Sequence, residues 1–443
     1  MLNFFRRHTP KPIFSLYHFS LALLGNFCYG FPSRKMKLVG ITGTKGKTTT
    51  SYFVYQILKN SGWKTALTST VYFILGNKKT INATKMGMPG RFFLPHFLHR
   101  ALQKGTKYTV VETTSEGIAQ HRQYFLDYTV AVFTNLSPEH IERHGGLENY
   151  RLAKEKLFQQ CSKIHVLNLD DENIAYFLRH SAKQKWGATF NRQELPLEIQ
   201  KKVNFILEGT LTKNNRVSCS EWKIADKSLL LKKYVLNVPF VGNFNVKNLL
   251  LAIAVARSFG LSPQKIKTAA TKLILPAGRM EEIKHPKINY RLFLDFAHEP
   301  LSLKSALETG RSLLPVGQKM IGLIGSQGGG RDRWKRPAMG KIATQFCDYI
   351  VISAEDPYDE NPREINQEIL SGVLKNKKFQ LEKNCWQFTD RKKALKKALS
   401  LAKKDDLIIL CGKGGEQKMC LKNKSIPWDE NKIVREIIES QKG

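Results

Sequence analysis

GITGTKGKTTT, residues 40–50, decides the fold. An apolar run, MKLVGIT (36–42), ends in this glycine turn, and a helix-like stretch, TTTSYFVYQILKNSG (48–62), starts directly after it. Strand, glycine-rich turn and helix in that order present backbone N–H groups and a helix N-terminus to an anion. Gly43 and Gly46 let the backbone approach phosphate oxygens, with Thr44, Lys45 and Thr49 completing the cradle. Lys47 is placed to neutralise the β- and γ-phosphates of a nucleotide, and the Thr48 hydroxyl to hold Mg²⁺. The spacing Gly40-x5-Gly46-Lys-Thr is one residue longer than the G-x4-G-K-[ST] form of the phosphate loop. A bare glycine turn would need no Lys-Thr at the helix start.

Outward from the loop, YTVVE (108–112), YTVAVFT (128–134) and KIHVLNL (163–169) read as buried strands. Helical patterns such as ENYRLAKEKLFQQC (148–161) separate them. Strands alternating with helices predict a parallel sheet covered on both faces. Residues 203–240 alternate apolar and polar positions instead, which predicts an antiparallel meander, followed by helices at 245–259 and 262–273. LPAGRMEEI (275–283) reads as a linker. The α/β rhythm then restarts, with strands at 290–296, 318–325, 348–353 and 406–411 and helices near 300–313, 363–375 and 390–403. The expected architecture is α/β in three parts. An N-terminal helical segment (1–36) precedes a central P-loop ATP-binding domain with a mostly parallel sheet (37–275), and a C-terminal Rossmann-like α/β domain (276–443) follows.

A chain of 443 residues is too long for one compact core. Its 42% hydrophobic and 24% charged content excludes wholesale disorder, a fibrous repeat and a polytopic membrane protein. Seventy-one Lys and Arg against thirty-seven Asp and Glu leave a net charge of +34. That excess attracts anions, whether nucleotides, phosphorylated substrates, nucleic acid or an acidic membrane face, and does not choose among them. Seven cysteines without a C-x-x-C pair read as free thiols in a reducing cytoplasm, with no zinc site. The apolar stretch 12–31 lies between Arg6, Arg7 and Lys11 on one side and the basic turn PSRKMK (32–37) on the other. Ser15, His18, Ser20, Gly25 and Asn26 dilute it too far for a signal peptide or a spanning helix. It reads as a helix packed on the body, or as a membrane-surface helix anchored by its basic flanks.

With these segments in place, the chain resembles the Mur ligases and folylpolyglutamate synthetases, whose phosphate loop has the longer spacing of TGTKGKTT. Further segments follow in that family's order: VVETTSEGI (110–118), FTNLSPEHIERHG (133–145), ENYRLAKEKLF (148–158), LNLDD (167–171), VGNFNVKN (241–248), PAGRME (276–281), LDFAHEP (294–300), GSQGGGRDRWKRPAMG (325–340) and CGKGGE (411–416). The similarity spans roughly residues 37–443, and the GRME, DFAH, RDRWKRP and GKGGE blocks look like the UDP-N-acetylmuramoyl-tripeptide synthetase branch. The resemblance implies an ATP-dependent amide ligase. Such an enzyme phosphorylates a substrate carboxylate and lets an amine attack the acyl phosphate, chemistry that needs charge neutralisation and in-line positioning more than covalent help.

Residue by residue, the resemblance implies that Thr48 and Glu112 hold the Mg²⁺ between the β- and γ-phosphates. It implies that His140 holds a second metal and that Lys154 is carbamylated to help hold it. Lys47, His140 and Lys154 then form the catalytic set. Asn245 and Asn248 would lie near the adenine, since a buried amide donates and accepts together. Arg279, Asp295, His298 and Arg331 resemble residues of the second domain that close onto ATP, which implies hinge motion between the domains. Glu355, Asp356, Lys413, Gly414 and Glu416 match segments facing the incoming amino acid. The partners implied are an amino acid and a UDP-muramoyl peptide in peptidoglycan synthesis, handled by a cytoplasmic monomer without nucleic acid.

Four departures from the branch's pattern stand out. Only about 36 residues precede the phosphate-loop strand, where the branch carries a UDP-binding domain, and ATKMGMPGRFFLP (83–95) differs from the usual muramoyl-contacting stretch. Glu355-Asp356-Pro357-Tyr358 stands where the branch has D-N-P-R, and losing that arginine removes a bidentate grip on a second carboxylate. An acidic pair suits an ammonium-bearing side chain such as lysine. Gly415 replaces the histidine usual in the GKGHE segment. Two other readings stay open: a folylpolyglutamate-synthetase-like ligase, and a non-catalytic nucleotide-binding regulatory protein.

Overall fold

The apolar run ahead of the glycine turn forms β1 (Lys37–Thr42), with Leu38, Val39 and Ile41 wholly buried. Gly40 has no room for a side chain: a Cβ there would lie 2.6 Å from the Tyr128 ring and 2.9 Å from Leu157. This computed structural model describes residues 11–82, 84, 86–90, 92–138, 145–212, 215–224, 228–330, 332–422 and 424–440. The chain divides into two compact units, Met1–Ile274 and Leu275–Gly443.

In the first unit, β1 is joined by β2 (Thr65–Thr68), β3 (Tyr72–Leu75), β4 (Lys78–Ile81), β5 (Tyr108–Glu112), β6 (Tyr128–Phe133), β7 (Ile164–Asn168), β8 (Gln184–Thr189), β9 (Phe205–Thr212), β10 (Arg216–Lys223) and β11 (Leu229–Asn237). They form one sheet in the order β11-β10-β9-β8-β7-β6-β1-β5-β2-β3-β4. The seven strands from β9 to β2 are parallel, with β1 between β5 and β6. Both edges turn antiparallel, through β3 and β4 at one end and β10 and β11 at the other. The mostly parallel sheet and the meander expected over 203–240 are both present.

The helix Lys47–Asn60 leaves the glycine turn, and the helix Asn243–Ser258 packs beside it. Every residue from Asn245 to Ala256 is buried, because this helix is enclosed by the sheet on one side and by its neighbours on the other. The N-terminal helix Lys11–Cys28 turns His18, Ala22 and Asn26 inward and packs against the helix Phe93–Gln103. No helix among the described residues is long and apolar enough to cross a membrane.

The second unit holds β12 (Glu281–Glu282), β13 (Arg291–Asp295), β14 (Met320–Ile324), β15 (Tyr349–Ile352), β16 (Cys385–Gln387) and β17 (Leu407–Cys411) in the order β12-β13-β17-β14-β15-β16. All neighbours run parallel except β12 against β13. The helices Pro300–Leu313, Lys335–Phe346, Pro362–Val373 and Arg391–Leu401 connect these strands. A separate hairpin, β18 (Lys418–Leu421) with β19 (Lys424–Pro427), precedes the last helix, Glu430–Ser440. The loops after β13, β14, β15 and β17 leave the carboxyl ends of adjacent parallel strands, the edge at which open α/β sheets bind ligands.

Candidate active site

Local geometry explains the glycines of the first unit's loop. Gly43 and Gly46 sit at φ 146° and 79°, and a Cβ on Gly46 would lie 2.3 Å from the Asn248 amide oxygen. The loop is held open from the neighbouring strand end. Thr44 N and Lys45 N donate to the main chain and side chain of Asn135, while Thr134 Oγ1 and Asn135 Nδ2 donate to Lys45 O. Ser137 N donates to Thr44 Oγ1, and so does the Tyr150 hydroxyl. Lys47 folds back, its ammonium donating to Gly43 O at 3.0 Å and Thr44 O at 2.8 Å. A phosphate group would draw it off two neutral carbonyls onto a full charge.

Thr48 lies in the first turn of the helix Lys47–Asn60, and its hydroxyl donates to Glu112 Oε2 at 3.1 Å. Glu112 ends β5, is buried, and accepts two more bonds from Thr70, from N at 2.8 Å and from Oγ1 at 2.9 Å. Thr70 is a residue that motif reading missed, because it lies in a short turn after β2 with no pattern around it. A hydroxyl and a carboxylate are hard oxygen donors of the kind Mg²⁺ takes beside phosphate oxygens and water. No group of three or more His, Cys, Asp or Glu able to hold a metal occurs among the described residues. Two protein oxygens fit an ion whose remaining positions phosphate oxygens and water fill. Gly87 lies over the same carboxylate, where a Cβ would come within 3.1 Å of Glu112 Oε1. The Arg122 guanidinium donates to the neighbouring Met88 carbonyl, which ties the segment near residues 86–90 to the metal side of the loop.

Lys154, on the helix Leu147–Gln160, is 1% exposed. Its ammonium donates to Gly43 O at 2.7 Å and lies 4.0 Å from the centre of the Tyr150 ring. Asn248 accepts from Thr50 Oγ1 at 3.1 Å, and Thr49 is buried beside it in the helix. Asn245, one turn earlier than Asn248, donates to Val241 O while its own buried side-chain oxygen has no partner. The structure thus gathers Gly43–Thr49, Glu112, Lys154 and Asn248 around one loop. His140 and Arg331 lie outside the described residues.

The second unit gathers its own set. Asp295, at the end of β13, accepts from Met280 N at 2.7 Å and Ala297 N at 2.8 Å. Arg279 stacks over the Phe296 ring at 4.4 Å, and the His298 ring meets the same phenyl edge-on at 4.5 Å. Gly414 has φ 48°, and a Cβ on Gly278 would overlap the Gly414–Gly415 backbone. Glycines are needed where these two loops interlock. Lys413 is buried and fully engaged, donating to Asp356 Oδ1 at 2.9 Å, Glu416 Oε2 at 2.6 Å and Lys418 O at 2.7 Å. Asp356 also accepts from Cys420 N. The acidic pair expected to face a ligand is therefore interior: Asp356 is neutralised by Lys413, and Glu355 is wholly buried. Neither oxygen of Glu355 has a hydrogen-bond partner, and a Cβ on Gly412 would meet its carboxyl group at 2.4 Å. Burial pushes this carboxyl up to about 7 against the pull of Arg391, Lys335 and Lys413.

A phosphate loop with a hydroxyl–carboxylate pair in one unit, and interlocked glycine loops at a parallel-sheet edge in the other, define an ATP-using α/β enzyme of two units. Residues 41–256 match the Mur ligase middle domain and residues 278–414 the Mur ligase glutamate ligase domain. The UDP-N-acetylmuramoyl-L-alanyl-D-glutamate--2,6-diaminopimelate ligase of Caldanaerobacter subterraneus subsp. tengcongensis is 33% identical over 96% of this chain and 82% of its own length. A solved ligase of the same description is similar with a TM-score of 0.59 at 24% identity, over 92% of this chain and 79% of that one. The MurF ligase of Thermotoga maritima in complex with ADP reaches a TM-score of 0.64 at 16% identity, over 95% and 83%. The chain belongs to the Mur ligase family. It is an ATP-dependent acid–amino-acid ligase that forms carbon–nitrogen bonds, using ATP and Mg²⁺.

Proposed function

We propose that the enzyme adds the third residue to a UDP-N-acetylmuramoyl dipeptide. The observation that carries the reading is the Thr48–Glu112 pair at the mouth of the phosphate loop, beside the segment that Arg122 holds. The substrate carboxylate takes the γ-phosphoryl group of ATP, giving an acyl phosphate and ADP. The amino group of the incoming residue then attacks the acyl carbon, loses a proton and expels inorganic phosphate. The loop N–H groups of Gly43–Thr49 bind the phosphates, and Lys47 exchanges its carbonyl partners for them. Mg²⁺, held by Thr48 and Glu112, supplies charge neutralisation where the phosphoryl group moves. Asn245 and Asn248 face the adenine, and Arg279, Asp295, His298 and Arg331 serve the nucleotide from the second unit.

A second ion, held by His140 and a carbamate on Lys154, is part of the proposal. Carbon dioxide would add to the Lys154 amine once its ammonium had lost a proton, and release of a second proton would leave an anionic carbamate whose remaining N–H can still donate to Gly43 O. Lys413, Gly414 and Glu416 shape the amino-acid pocket, with Glu355 and Asp356 beneath it. The amino acid is a diamino acid, in line with the diaminopimelate for which the Caldanaerobacter relative is named. Tyr358 in place of an arginine favours lysine over a side chain with a second carboxylate. The enzyme works as a cytoplasmic monomer, with residues 12–31 contacting a membrane surface.

Phosphate release is the test, with the purified protein given ATP, Mg²⁺, UDP-muramoyl dipeptide and a panel of amino acids. Turnover should require both the dipeptide and lysine or diaminopimelate, and Lys47→Ala should lower kcat by at least about a hundredfold. Turnover with a folate and glutamate would move the enzyme to the folylpolyglutamate reading. Nucleotide binding without turnover on any acceptor would leave a regulatory protein.

A further inference from the structure

The N-terminal helix Lys11–Cys28 is built inside out. His18, Ala22 and Asn26 are buried against the body, while Ile13, Leu16, Leu23, Leu24 and Phe27 point outward, with Leu16 66% and Phe27 71% exposed. At 100° per residue these five fall within one arc of about 100°, opposite the buried side. Single exposed leucines are ordinary, but an apolar stripe along about four turns of a surface helix, interrupted only by Ser20, is not. Inward contacts lock the orientation. Ser15 Oγ lies 2.6 Å from His121 Nε2, and the Phe19 ring packs on His121, Tyr124 and Phe125. His121 and Phe125 both hold positive φ, at 58° and 64°, so the segment beneath the helix is shaped to receive it.

The sequence that carries this helix is one-sided in charge, and Asp127, two residues beyond Phe125, is a partly exposed acid paired with Lys163. Residues 1–111 contain seventeen Lys and Arg and no Asp or Glu, the first acid in the chain being Glu112. Arg34 and Lys35 follow the helix directly and are exposed, as are Lys37, Lys64, Lys104 and Lys107. We propose that the outward face of the helix Lys11–Cys28, with the basic surface around it, docks on an anionic lipid bilayer. The stripe enters the boundary between headgroups and acyl chains while the lysines and arginines meet the negative headgroups, the two signals that reversible surface anchoring needs. A nucleic acid would use the charge and leave the leucines in water, and an apolar protein partner would use the stripe and leave the charge unexplained. This gives chemical form to the membrane contact named above and stands apart from the ligase chemistry, since the stripe lies outside the phosphate loop and its partners.

Sedimentation of the full chain with vesicles tests it, comparing phosphatidylcholine alone with phosphatidylcholine plus phosphatidylglycerol. Binding to the anionic vesicles only is expected, weakening as salt is raised. The Leu16→Gln/Leu23→Gln/Phe27→Gln variant should partition at least about tenfold less, and Arg34→Gln/Lys35→Gln severalfold less, both with unchanged ADP formation. Four results would overturn the proposal: no binding to anionic vesicles, equal binding to neutral ones, a stripe variant that sediments like the parent, or stripe-dependent self-association in the absence of lipid. Retention on a DNA or RNA fragment that outcompetes the vesicles would assign the charge to nucleic acid instead.

Discussion

Glu355 is the residue whose chemistry is most at odds with its surroundings. Its carboxyl is wholly buried, lacks a hydrogen-bond partner and is pushed up to about 7 by that burial. The unfolded chain releases the proton near the ordinary glutamate value, so between that value and about 7 the folded state holds a proton the unfolded state has lost. Stability therefore falls as pH climbs through this window and stays low above it. The shift corresponds to a penalty of roughly 2–4 kcal/mol at pH 8. Glu355→Gln should raise the denaturation midpoint of the ligand-free protein at pH 8 and leave it nearly unchanged at pH 5. An equal effect at both values would show that the carboxyl stays ionised throughout. At this scale the sequence was legible where residues are contiguous. Gly43–Thr49 announce themselves, whereas Thr70 reaches Glu112 from a turn with no local signal, and the bonds that Asn135 and Tyr150 make to the loop cannot be read from their own segments. The pairing of Asp356 with Lys413 was hidden for the same reason, the two lying fifty-seven positions apart.

Elements were legible in proportion to their apolar pattern. YTVVE forms β5 without adjustment, and the helix expected near 300–313 is Pro300–Leu313. β8 (Gln184–Thr189) escaped because its sequence, QKWGAT, has no apolar run; it is a strand because β7 and β9 pair on either side of it. The hairpin of β18 and β19 was hidden too, since KMCL and KSIP are short and partly exposed. What holds the last helix is equally invisible in sequence. The side chains of Arg391 and Glu430, 1% and 0% exposed, pair through two bonds of 2.7 Å and join the helices Arg391–Leu401 and Glu430–Ser440. Arg391 also donates to Cys411 O at the end of β17. Removing one member leaves a buried charge without its partner, so Glu430→Ala should cost the second unit about 3–5 kcal/mol. Urea denaturation followed by Trp386 and Trp428 fluorescence measures it. A loss below about 1 kcal/mol would mean that water reaches the arginine and replaces the carboxylate.

Across the whole molecule, charge is the property that bears on turnover. The net +34 is unevenly spread: the 111 residues before Glu112, which include the phosphate loop, carry seventeen basic side chains and no acidic one. ATP and a UDP-linked peptide are polyanions, while an incoming amino acid is close to neutral overall. A surface of one sign raises the local concentration of the first two and does little for the third. Screening separates them, because the Debye length falls from about 14 Å at 50 mM salt to about 6 Å at 300 mM. Between those limits KM for ATP and for the UDP-muramoyl dipeptide should rise severalfold, and KM for the amino acid should change by less than about twofold. Steady-state kinetics at the two salt concentrations decides the point. A rise shared equally by all three substrates would mean that salt acts on the fold, and that the positive charge plays no part in gathering the anionic ones.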